Sequence, residues 1–264
     1  MKNIGIIGTG FMGSAIMQAI LREHREVQIG IVEKDPARRE YGTRELGAID
    51  FSAEPEELFG FSELVFLAIK PQDLAPFGES IGAAGRNAAV LSMLAGTPIA
   101  TIAASIGTPR VIRIMPNLAA EIGKAVTGIA FADAIPLETK TEVLDLLRGV
   151  GTLIEVREEL LNAITGVSGS GIAFAFEFIN ALALAGVEEG LPFPQALTAA
   201  RDVVEAAALL LKSEEVHPEV LVSRVCSPGG TTIRGIRALH DTGFTSSVIA
   251  AVAAATERSR ELEG

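Results

Sequence analysis

The chain has 264 residues with 33 acidic against 22 basic side chains, a net charge of −11, and 48% hydrophobic and 21% charged residues. That composition is globular and excludes a disordered or fibrous chain, while the negative charge speaks against a nucleic-acid partner, whose phosphates draw affinity from Lys and Arg. One cysteine, Cys226, and the lack of a basic-then-apolar leader before Ile4 predict a cytoplasmic protein without an intrachain disulfide.

In chain order, β-rich runs at Lys2–Ile7, Gln28–Glu33, Glu63–Ile69, Asn87–Met93, Arg110–Ile114 and Ala125–Phe131 alternate with amphipathic stretches. The helices among them start near Gly10, Pro36, Pro71 and Pro98, and a further one runs from Pro136 to Arg148; proline is well suited to a first helical turn. This rhythm predicts an α/β, doubly wound, Rossmann-type N-terminal domain. After about Thr152 the β pattern stops, and the rest reads as helices broken at Gly166–Gly171, Gly190–Pro194, His217–Pro218, Ser227–Gly230 and Gly243. A boundary near Glu155–Glu158 divides 1–156, a dinucleotide-binding domain, from an all-α domain at 157–264. The apolar stretch Gly171–Val187 has membrane length, but Glu177 and Asn180 interrupt it. A helix buried between subunits is expected instead, hence self-association and no membrane.

Gly8-Thr9-Gly10-Phe11-Met12-Gly13 follows the first strand and opens the first helix. The first glycine permits a tight turn, the second lets backbone approach a pyrophosphate, and the third lets helix pack on strand. Free N–H groups at the helix start then face the phosphates. The second strand ends at Glu33, about twenty residues on, where an acidic side chain accepts ribose hydroxyls. A carboxylate about 4 Å from a 2′-phosphate repels it by roughly 1 to 4 kcal/mol per unit charge, which favours NADH; Lys34 is placed to offset this and admit NADPH. Ala68-Ile69-Lys70-Pro71, Ala95-Gly96 and Met115-Pro116-Asn117 follow later strands, so their loops edge the same crevice, with the Asn117 amide a contact for nicotinamide or ribose.

With Phe66–Gln72, Arg113–Asn117, Ser168-Gly169-Ser170-Gly171 and Val225-Cys226-Ser227-Pro228-Gly229-Gly230-Thr231-Thr232 added to the glycine turn, the sequence resembles the pyrroline-5-carboxylate reductases over nearly its whole length. The resemblance implies a helical C-terminal dimerisation domain and reduction of the C=N bond of a five-membered cyclic imino acid by NAD(P)H, giving L-proline. It places Gly8 to Gly13, Glu33 or Lys34, Ala68 to Pro71 and Ala95-Gly96 at the cofactor, and Glu158, Gly230, Thr231 and Thr232 at the substrate. Ile172, where the family has proline, and Arg224, where it has a small polar residue, depart from the pattern.

Independently, Ser227–Thr232 reads as a helix start with bare backbone: Pro228 pre-sets a turn, Gly229 and Gly230 uncover it, and the threonines add hydroxyls. Local dipoles of this kind hold an anionic amino acid in a chain whose overall charge repels it. A cyclic imine already carries a proton near neutral pH, so no strong acid is required. His24, His217, His240 and Tyr41 all lie outside the motif loops. Orientation then does most of the work. Thr232 is the candidate for a hydrogen bond to the ring nitrogen, and Glu158 the candidate to balance the iminium charge or anchor a water. No metal site is expected. The alternatives are a catalytically silent dinucleotide-binding regulatory relative and a β-hydroxyacid dehydrogenase, whose lysine on the helix after the glycine-rich segment is missing from Gly171–Asn180.

Overall fold

The computed structural model describes Met1–Glu263; Gly264, the last position of the predicted 157–264 domain, lies outside the described residues. Eight strands, β1 (Asn3–Ile7), β2 (Gln28–Val32), β3 (Ile49–Asp50), β4 (Leu64–Leu67), β5 (Ala89–Ser92), β6 (Val111–Met115), β7 (Ala125–Phe131) and β8 (Gly151–Glu155), form one sheet in the order β3-β2-β1-β4-β5-β6-β7-β8. The helices among them are α1 (Phe11–Glu23), α2 (Pro36–Glu45), α3 (Glu57–Phe61), α4 (Leu74–Ile81), α5 (Ile99–Ile106), α6 (Leu137–Leu146) and α7 (Leu161–Ile164). Then follow α8 (Gly171–Glu188), α9 (Phe193–Glu214), α10 (Pro218–Val225), α11 (Thr231–Asp241) and α12 (Phe244–Glu261).

β1 to β6 are parallel, and the period-2 alternation of side chains serves two cores. Ile4, Ile6, Leu64, Phe66, Leu91 and Ile112 point to one face; Ile7, Val65, Leu67, Val90 and Val111 point to the other, against α3, α4 and α5. β7 departs from the parallel pattern and runs antiparallel to β6. Its connection, 116–124, is a short 3-10 turn, whereas a parallel return needs a crossover of a dozen or more residues. β8 then pairs with β7 and extends the sheet by a strand that the sequence pattern does not predict.

Two compact units are present: Met1–Ser170 together with the end of the chain from Ala254, and Gly171–Ala253. Composition shifts earlier, near 156, because 158–170 is helical yet packs on the sheet. Gly128 in β7 makes room for it, since a side chain there would meet Ile164 at 2.7 Å and Leu161 at 3.1 Å.

The second unit is helical throughout. α8 and α9 meet along Ala183, Ala196 and Ala200, and Gly186 lets Ala196 approach. Around this small core, Phe176, Leu184, Val203, Leu209 and Ile249 are exposed, an apolar display that monomeric proteins rarely make. The run Glu158–Glu188 is long and apolar enough to cross a membrane by length and composition alone.

Candidate active site

The turn between β1 and α1 is built on backbone. Gly8 has φ +91°, and a side chain on it would stand 2.7 Å from the Ala68 carbonyl oxygen; on Gly13 it would stand 2.2 Å from the Gly8 carbonyl oxygen. Both positions therefore need glycine. The Gly8 N–H donates to the Val32 carbonyl at 2.9 Å, tying the turn to β2. α1 starts at Gly10 without a side-chain cap, so its first N–H groups are free for an anion. Thr9, Met12 and Gly13 support this turn from behind; Thr9 and Gly13 are buried.

Before it opens a cavity of about 520 Å³, which gathers Gly8, Gly10, Phe11, Glu33, Lys34, Ala68, Ile69 and Lys70 of the predicted cofactor residues. It lies between the ends of β1 and β4, the point where strand order reverses and ligands of doubly wound sheets collect. The cavity, the uncapped helix start and the glycine turn fit a dinucleotide.

Glu33 is placed otherwise than expected. Its carboxylate is buried and accepts from the Thr9 N–H at 2.6 Å, the Thr9 hydroxyl at 3.0 Å and the Asp35 N–H at 2.9 Å. It fastens the glycine turn to the end of β2 and still lines the cavity. Lys34 is exposed and meets Asp73 at 3.4 Å. Arg38, which sequence reasoning missed, lines the same cavity, and its guanidinium lies 3.4 Å from where a side chain on Gly10 would stand. A signal was available: Arg38 stands in the first turn of α2, the positive end of the helix dipole, where a cation is unfavourable unless it meets an anion.

Pro71 opens a 3-10 turn after β4. Ala95, Gly96 and Asn117 fall outside the cavity lining. The Asn117 amide is already used: its oxygen accepts from the Ala119 N–H at 3.2 Å and its nitrogen donates to the Ser168 carbonyl at 3.0 Å. It joins the loop after β6 to a π-helical stretch, Thr165–Gly169, a distortion that tends to mark functional sites. Asn117→Ala leaves that carbonyl unpaired and is expected to cost about 2 kcal/mol in urea unfolding; a loss under about 0.5 kcal/mol would deny the link.

Glu158 is likewise engaged. Its Oε1 accepts from Arg113 Nη1 and from the Ile99 N–H, both at 2.7 Å. Pro98 offers α5 no side-chain cap, and this carboxylate supplies one from another element. Among the described residues Oε2 has no hydrogen-bond partner, leaving one oxygen for a ligand or water.

In the second unit, the bare helix start predicted from sequence is present. α11 begins after Gly230 with no side-chain cap, Gly229 has φ +71°, and a side chain on Gly230 would meet the Ser227 hydroxyl at 2.3 Å. Gly229 and Thr231 are exposed and Thr232 half-buried. Arg224 pairs with Glu214 of α9. Ile172 sits in the first turn of α8, which forms without proline.

Two family models match the chain: one described as pyrroline-5-carboxylate reductase dimerisation over residues 158–262, and one described as NADP oxidoreductase, coenzyme F420-dependent, over residues 3–96. The pyrroline-5-carboxylate reductase of Aquifex aeolicus is 35% identical over 260 residues, covering 98% of this chain and 97% of that one. The solved structure of a pyrroline-5-carboxylate reductase from Coxiella burnetii superposes with a TM-score of 0.93 at 25% identity, covering 100% and 99% of the two chains. That of the Plasmodium falciparum pyrroline carboxylate reductase with NADP bound gives 0.87 at 22% identity, over 100% and 98%, and speaks to the fold alone.

Proposed function

The chain belongs to the pyrroline-5-carboxylate reductase family, and on that premise we propose how its residues divide the reaction. It is an NAD(P)H-dependent oxidoreductase that reduces the C=N bond of 1-pyrroline-5-carboxylate to give L-proline, and it self-associates through its helical region. The relatives carry the reductase name across the full length, which supports the reductase over the silent relative and the β-hydroxyacid dehydrogenase.

The assignment of residues goes further. Segment 1–156 holds the dinucleotide and 157–264 the imino acid and the self-association surface. The protein works in the cytoplasm. The Gly8–Gly13 turn takes the pyrophosphate, with Ala68–Pro71 and Ala95-Gly96 bordering the rest of the cofactor; Asn117 and Glu33 hold these loops in shape. The α11 start, Gly229 to Thr232, takes the substrate carboxylate on the N–H groups of Thr231 and Thr232, the Gly230 N–H being held by the Ser227 carbonyl at 3.0 Å. The bound dinucleotide supplies the hydride. The Thr232 hydroxyl oxygen accepts from the protonated ring nitrogen, and the free oxygen of Glu158 faces the iminium charge or a water. The chain contributes orientation and exclusion of water, which by themselves are worth about 7 to 11 kcal/mol.

For the cofactor we propose NADPH over NADH. One observation carries this: the Arg38 guanidinium lines the cavity beside Gly10, while the Glu33 carboxylate is held by the N–H groups of Thr9 and Asp35. A guanidinium recognises a phosphate by paired donors. Arg38→Ala is expected to lower kcat/KM for NADPH about tenfold and to leave NADH within about twofold. Glu33→Ser is expected to weaken both cofactors alike. Steady-state kinetics with both dinucleotides decide the matter; an unchanged NADPH preference in Arg38→Ala, or a selective gain of NADPH in Glu33→Ser, would return the choice to Glu33.

A further inference from the structure

We propose that Glu263, on the turn that follows α12, is a positioning residue for hydride transfer, acting through Arg113 on Glu158 and through its neighbour Leu262 on the Ala95-Gly96 loop. Alternation along β6 sends Arg113 to the same face as Val111, and its side chain is 2% exposed. Such a charge is costly to bury unless every donor is met. Here Nη1 meets Glu158 at 2.7 Å and Nη2 meets Glu263 at 3.2 Å. The other oxygen of Glu263 accepts from the Asn162 amide at 2.8 Å, and the Asn162 oxygen accepts from the Ser259 hydroxyl at 2.6 Å.

A continuous line of bonds thus runs from Ser259 on α12, through Asn162, Glu263, Arg113 and Glu158, to the Ile99 N–H at the start of α5. The same turn reaches the loop after β5 directly. A side chain on Gly96, at φ +63°, would stand 2.4 Å from the Leu262 carbonyl oxygen. Glycine therefore lets the last turn press against the loop. Replacing a buried ion cluster with apolar residues is commonly neutral or stabilising, so stability does not explain this one. Its placement does: it braces the loop at the carboxyl end of β5, on the edge where ligands of such sheets bind. It leaves the second oxygen of Glu158 uncommitted, in a fixed position.

The proposal rests on the assignment of Ala95-Gly96 and Glu158 to the reactants, and the test separates the two. Hydrogen exchange on the full chain is read alongside NADPH affinity and turnover for wild type, Glu263→Ala, Glu263→Gln and Ser259→Ala. In Glu263→Ala, exchange at 95–99 is expected to quicken about tenfold while 8–13 is unchanged. Its kcat is expected to fall about tenfold with NADPH affinity within about twofold. Glu263→Gln, which keeps one acceptor for Arg113, should fall between it and wild type. Ser259→Ala, one step further out, should show the same pattern at about threefold and covers the case in which Glu263→Ala does not fold. Unchanged exchange at 95–99 with unchanged kcat in the folded variants would overturn the proposal. A wild-type protein that fails to reduce the imine would count against the assignment of the reaction, and the exchange data would still decide whether Glu263 braces the loop.

Discussion

Gly13→Ala is expected to lower dinucleotide affinity at least about 100-fold, equivalent to about 2.7 kcal/mol. The added methyl would stand 2.2 Å from the Gly8 carbonyl oxygen, a backbone atom that cannot swing away as a side chain would. Gly8 has no freedom to yield either. Its φ is +91°, its N–H is held by Val32, and a carbonyl of Ala68 lies behind it. Either the start of α1 moves off β1 or the turn opens, and both displace the N–H groups meant for pyrophosphate. Titration of NADPH by fluorescence, with circular dichroism to show that the fold persists, checks this. Affinity within about threefold of wild type would mean the turn does not hold the cofactor.

Thr232→Ala should do the reverse, lowering kcat by about 100-fold, the cost of a misplaced reacting group, with cofactor affinity nearly intact. The threonine sits in the first turn of α11, half-buried beside a helix start with no side-chain cap. Single-turnover kinetics with saturating NADPH separate the chemical step from binding. If cofactor binding collapses while turnover per bound cofactor stays the same, the division of labour between the two helix starts is wrong.

How much of this was legible in the sequence depends on the range of the interactions. The β1 turn and the six β-rich runs that became β1, β2, β4, β5, β6 and β7 are local patterns, and they appear where the spacing puts them, whereas the two-residue β3 carries no such pattern. β8 escapes because it is short and mostly exposed at the sheet edge, with no apolar run to mark it. The reversal of β7 could be read only from the shortness of 116–124, a constraint on geometry rather than on composition. Glu33 stands out at the end of β2, yet its partner Thr9 lies 24 residues away, and nothing in the spacing tells a carboxylate that binds ribose from one that binds the turn. Glu158 likewise finds Arg113 45 residues away, and Arg113 finds Glu263 150 residues away. Arg38 carried only the weak signal of a cation in a first helical turn, and the fold brought it beside Gly10. The start of α11 was legible because Pro228, Gly229 and Gly230 dictate it locally.

The most direct test is a crystal structure of the protein with NADPH and L-proline bound together. Pyrophosphate oxygens within about 3 Å of the N–H groups of the Gly10–Gly13 segment, and the proline carboxylate at the same distance from those of Thr231 and Thr232, are the predicted result. A proline carboxylate held elsewhere, with the Ser227–Thr232 turn remote from the nicotinamide ring, would contradict it.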